Sequence, residues 1–148
     1  MLIACALGTG VPYTGFGAQS VQAASARATS GSVDLSGVWN LTIQDPQHRT
    51  VVTMTIRFLK AAGGSCLGGK WQRISVESAH TQDEKFFPIK DELSYEIQGN
   101  RLVIGRNQIC DAYLHLIADS LEIPIHGDFT SFGWESRKLG FFTLNRQP

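Results

Sequence analysis

The chain has 148 residues, 43% of them hydrophobic and 18% charged, with 13 Lys and Arg balanced by 13 Asp and Glu. This is the composition of one ordinary globular domain, and zero net charge withholds the concentrated cationic surface that nucleic acid or an anionic bilayer requires. No apolar run reaches about 18 residues, so a membrane-spanning helix is excluded as well.

Residues 1–26 carry no charged side chain and end in Val21-Gln22-Ala23-Ala24-Ser25-Ala26. Small residues at alternate positions mark signal-peptidase processing, so this stretch reads as a signal peptide cleaved near Ala23 or Ala26 and the protein as secreted or periplasmic. Leu2-Ile3-Ala4-Cys5 also has the form of a lipobox, which keeps a lipoprotein anchored through Cys5 as the alternative. Cleavage near Ala26 leaves two cysteines, Cys66 and Cys110, and an even pair in an exported chain is most simply one disulfide. Two buried free thiols are the other reading. Residues 27–34 are small and polar and read as a flexible lead into a domain spanning 35–148.

From Leu35 the pattern has period two. Trp39, Leu41 and Ile43 alternate with polar residues until Asp45-Pro46 marks a turn. Over Thr50 to Leu59, Val52, Met54, Ile56 and Phe58 share one face. Trp71 to Ser78 carries Ile74 and Val76. Leu93 to Gln98 and Arg101 to Arg106 flank Gly99-Asn100, a hairpin connection because both residues tolerate positive φ. Ala112 to Ala118, Leu121 to Phe132 and Lys138 to Asn145 complete eight strands. No segment has a 3.6-residue period over three turns, so the fold class is all-β. Eight short strands with short turns suit an antiparallel up-and-down barrel, which leaves no sheet edge exposed, with a sandwich as the alternative.

A barrel of eight strands is either filled by its own side chains or holds one small ligand. The dry faces point Leu41, Val52, Met54, Ile56, Ile74, Val76, Leu93, Tyr95, Leu102 and Ile104 inward, a set without charge, so an internal ligand is expected to be small and apolar. Phe129, Phe132 and Trp134, interleaved with small polar residues, form either part of the core or an aromatic rim that grips a ligand or a partner.

The histidines give no metal or catalytic motif. His48, His80, His115 and His126 fall in four segments, none at the spacing that aims two imidazoles at one ion. His115 points away from Leu114 and Leu116 or shares a packed face with Tyr113 and Ile117. His126-Gly127-Asp128 near Ser131 lacks a nucleophile elbow or oxyanion motif and reads as a solvated turn. No catalytic residue, cofactor or metal is assigned.

Leu35-Ser36-Gly37-Val38-Trp39 contains Gly-x-Trp at the start of the first strand and resembles the opening motif of the lipocalin and avidin superfamily. The resemblance implies a barrel whose closed end is plugged by Trp39, with an Arg of the last strand across its ring. Arg146 is the matching residue and Arg137 the second choice. The Leu-Ser-Gly-x-Trp opening, the size and a small-residue segment at Ala24 to Ser32 are also similar to secreted bacterial inhibitors of metalloproteases, and Pro88-Ile89-Lys90-Asp91-Glu92-Leu93 is similar to a stretch of that family. The expectation is therefore an exported, non-enzymatic, monomeric barrel that binds a small apolar ligand, its contacts drawn from Met54, Tyr95, Phe129, Phe132 and Trp134. The alternative is a protease inhibitor or other protein-binding barrel that uses its N-terminal arm.

Overall fold

The structure, a computed structural model, describes residues 33–109, 113–133 and 135–148. Eight strands follow in chain order: β1 (Val38–Gln44), β2 (Thr50–Ala62), β3 (Gln72–Thr81), β4 (Leu93–Gln98), β5 (Arg101–Arg106), β6 (Tyr113–Ala118), β7 (Ile125–Phe132) and β8 (Arg137–Arg146). Each pairs antiparallel with its neighbour in sequence, and β1 pairs with β8, which closes the barrel. No helix occurs among the described residues.

The alternation of the strands decides what lies inside. Trp39, Leu41 and Ile43 of β1, Val52, Met54, Ile56 and Phe58 of β2, and Phe142 and Leu144 of β8 are all buried in one cluster, as an alternating strand with one dry face must be. The ten residues expected inward belong to that cluster, Val76 as a partly buried member packed against it. Some boundaries move: β2 runs on to Ala62, β3 is shifted to Gln72–Thr81 and leaves Trp71 out, and Leu121 to Pro124 is a connection, with Leu121 buried, so that β7 starts at Ile125. Pro124 has no N–H to give a ladder, which ends the apparent alternation there.

Both ends of the cylinder are plugged. At one, Leu35 lies over Trp39, whose indole Nε1 donates to the Leu35 carbonyl at 2.9 Å. Trp39, Phe58 and Tyr95 then meet edge to face, with ring centroids 6.0 and 4.9 Å apart. At the other, the β3–β4 connection lays Phe86 and Phe87 edge-on to Phe129, at 5.3 and 5.6 Å. A hollow large enough for a ligand would leave its lining accessible to water-sized molecules; instead Leu41, Ile56, Leu102, Leu116, Phe129 and Phe142 expose 1% or less of their surface. The interior is filled by its own side chains.

Local chemistry sets the connections. At the β1–β2 turn the Asp45 carboxylate accepts the N–H groups of Gln47 and Arg49 and the Arg49 side chain, at 2.7 to 2.9 Å. Burial of Asp45 works against its charge, but these donors outweigh it and hold the carboxyl below its ordinary value. Gly99 turns the β4–β5 hairpin at φ 64°. A Cβ on Gly140 would collide with the Gln44 carbonyl, so that glycine permits the close approach of β8 to β1.

Candidate functional site

The residues singled out in the sequence do not form one site. Met54 and Tyr95 are buried inside the barrel, and the Tyr95 hydroxyl donates to the Leu59 carbonyl at 3.3 Å. Burial raises the Tyr95 pKa above its ordinary value. Phe129, read as core or rim, is core: it alternates with Ile125 on the inward face of β7 and exposes nothing. Phe132 lies outside the barrel and is 52% exposed, while Trp134 lies outside the described residues. Phe129 and Phe132 form no rim, because β7 alternates regularly through both and, three residues apart, they point to opposite faces, one inward and one outward.

Trp39 and Arg146 do meet. They pair across β1 and β8, and the guanidinium carbon sits 5.4 Å from the centre of the indole. Arg146 also donates to the carbonyls of Asp34 and Ser36. The Ser36 side chain and backbone, with Arg146, hold the Asp34 carboxyl below its ordinary value. His126 is hydrogen-bonded to Thr143 and Asp128 is ion-paired with Lys138, so these two do not act as a pair. Among the described residues no group of three or more His, Cys, Asp or Glu is placed to hold a metal, and no helix is long and apolar enough to cross a membrane.

A cleft does form on the outside of the barrel, over β5, β6 and β7. It arises because the connection from β2 to β3, residues 63–71, folds back across the sheet. Gly64 is held at both ends: its N–H donates to Asn107 Oδ1 at 2.7 Å and its carbonyl accepts the Ser94 hydroxyl at 2.8 Å. Further on, the Lys70 N–H donates to Glu96 Oε1 at 2.7 Å. This connection carries Trp71 onto the outer face, where it is buried and its ring lies 6.4 Å from that of His115, nearly parallel. Gly105 lies beneath them, and a Cβ there would press on the His115 ring.

His115 therefore does point outward with Ile117, as one of its two readings had it, yet it is buried because the connection covers it. That burial lowers its pKa, so the ring is held neutral. Leu67 and Phe132, both exposed, line a space of about 150 Å³ together with Trp71, Val103, His115 and Ile117. Arg101, whose Nε meets Asp119 Oδ1 at 3.2 Å, is the one charged side chain among the described residues lining it. Such a space accepts one apolar group of about the size of a benzene ring.

Sequence reasoning passed over Trp71, Leu67 and Val103. The signal was present: Ala112-Tyr-Leu-His-Leu-Ile-Ala118 is apolar at almost every position rather than at alternate ones, as expected of a strand covered on both faces. Of the expected Cys66–Cys110 pair, Cys66 lies in the 63–71 connection and Cys110 outside the described residues. No protein-family model, no curated protein and no solved structure matches this chain.

Proposed function

We propose that this is an exported, non-enzymatic binding barrel of lipocalin-like type that works through its outer surface, with the cleft between Leu67 and Phe132 as the contact site for a small apolar ligand or an apolar side chain of a partner. The observation that carries this reading is the contrast between a filled interior and two large exposed hydrophobic side chains that line one aromatic-walled space. Apolar surface left open at a concave spot gains on being covered, at about 25 cal/mol per Å² before ordering costs. A disulfide from Cys66 to Cys110 belongs to the same proposal, and what supports it is the bond from Gly64, just before Cys66 in the chain, to Asn107, just before Cys110. It would pin the cleft's wall to the sheet.

The test is titration of the mature protein with a panel of environment-sensitive apolar dyes, repeated on Phe132→Ala and Met54→Ala. Binding should weaken about tenfold or more in the Phe132 variant and persist in the Met54 variant. The reverse pattern would place the site in the interior and sink this reading.

A second reading, the protease-inhibitor type, draws on the anchored N-terminal entry to β1, where Arg146 grips the carbonyls of Asp34 and Ser36. A fixed base of this kind suits an arm that enters a partner's cleft. Deleting residues 24–32 should abolish inhibition across a panel of secreted metalloproteases and leave dye binding untouched; inhibition that survives the deletion, or none by the intact protein, removes this alternative.

A further inference from the structure

The barrel is closed, yet among the described residues two of its seams, β3–β4 and β5–β6, are paired over three residues only, and at the first the much longer strand β3 is left with most of one edge unpaired. β3 is bonded to β2 along nearly its whole length, from Gln72 to Thr81, but meets β4 solely through Gln72, Arg73 and Ile74. From Ser75 to Thr81 the opposite edge of β3 has no strand beside it among the described residues. The cause lies in the chain that should have continued the pairing. Asp91 is drawn toward β5 by Arg106, at 2.6 Å, with both side chains largely buried. The Glu92 carbonyl accepts the Asn107 N–H at 2.7 Å, and Asn107 Nδ2 donates to the Glu92 carboxylate. These bonds tie residues 91 and 92 to β5 and the residue after it, and although the Glu92 carboxylate also meets Arg73 of β3 at 3.1 Å, no ladder pairs residues 91 and 92 with Ser75 and Val76.

Where the seam parts, a slot of about 460 Å³ is lined by Leu59 of β2, by residues 73–76 of β3, which include the first two of the unpaired edge, and by residues 89–93. A strand edge offers a row of backbone donors and acceptors, and such edges are ordinarily covered or blunted because they template pairing with another chain. Here the open row begins beside a second wall, and Val76 on the row and Ile89 on the wall are its apolar side chains.

We propose that this slot is a strand-addition site for an extended peptide segment of a partner protein, one with apolar side chains at alternate positions. Main-chain bonds to the Ser75–Thr81 edge supply affinity, and contacts with Val76 and Ile89 select the side chains. The wall formed by residues 89–93 fits a single inserted chain better than the broad face of a second barrel. The site is separate from the Leu67–Phe132 cleft, so either can fail without the other.

The test uses the ¹⁵N-labelled protein and two synthetic probes, the peptide acetyl-KTVTVTK-amide and the same peptide with a central proline. The first should slow hydrogen exchange of the slot-facing amides within Ser75–Thr81 at least tenfold and shift their signals, and the second should do neither. Val76→Lys should abolish the effect; Ile89→Lys, on the unpaired wall, serves if the first variant does not fold. Unchanged exchange at saturating peptide overturns the proposal. So does protection that rises with protein concentration alone, which would assign the edge to a second copy.

Discussion

The guanidinium of Arg146 lies 5.4 Å from the centre of the Trp39 indole, joining the last strand to the first across the plugged end of the barrel. The indole is wholly buried, its N–H is satisfied by the Leu35 carbonyl, and the cation above it is fixed by the carbonyls of Asp34 and Ser36. Trp39→Ala should cost about 3 to 5 kcal/mol through lost packing and the cavity left behind. Arg146→Met, which keeps the stem and removes the charge and its donors, should cost about 1 to 2 kcal/mol. Urea midpoints at unchanged m-value measure both; an Arg146 variant as stable as the parent would show the stacking to be incidental.

Met54 offers a direct check on the filled interior. In a hollow barrel Met54→Trp would be accommodated and would stabilise by occupying the space. In this one it has nowhere to go, and overpacking should destabilise by roughly 1 to 3 kcal/mol. A thermal midpoint that holds or rises would show that the barrel contains room.

His115 makes stability depend on pH in a stated direction. Its folded pKa lies below its ordinary value because it is buried under Trp71. The unfolded chain therefore binds a proton that the folded chain refuses, so stability is complete above about pH 6.5 and falls as the pH drops from there toward the lowered folded pKa. His115→Gln should flatten that part of the curve, read from thermal midpoints between pH 5 and pH 8. An unaltered profile would mean that other groups set it.

The cysteines give a chemical prediction. A bond between Cys66 and Cys110 closes a loop of roughly 45 residues and should stabilise by about 3 to 4 kcal/mol in the chain-entropy model. Thiol titration of the unfolded, unreduced mature protein should find none free; two reactive thiols would dispose of the pairing and of the pinned cleft wall together.

The strands were legible because each obeys a local rule. Val52, Met54 and Ile56 alternate with Thr53 and Thr55, and no distant residue alters which face they share. The Gly99-Asn100 hairpin was legible for the same reason. Phe129, open between core and rim in the sequence, is core, in phase with Ile125 and Gly127 on β7. The cleft and the slot were hidden because both arise from long-range bonds. Gly64 to Asn107 and Asp91 to Arg106 join segments that nothing in local periodicity connects, and they decide where a loop covers the sheet and where a seam parts. Trp71 looked like an ordinary strand residue for that reason, although it packs on the outside.

Closure by β1 and β8 also brings the two ends of the folded chain side by side: the Gln147 N–H donates to the Val38 carbonyl at 2.8 Å, and its side chain to Asn40. The order of strands around the cylinder is therefore independent of where the polypeptide starts. A circular permutant that joins Pro148 to Val33 through a short Gly-Ser linker and opens at Gly99-Asn100 keeps every strand neighbour, because that tight two-residue turn holds no partner outside its own hairpin. Such a molecule would carry its free ends on the β4–β5 hairpin, and a fused reporter would then hang from the strand that borders the slot.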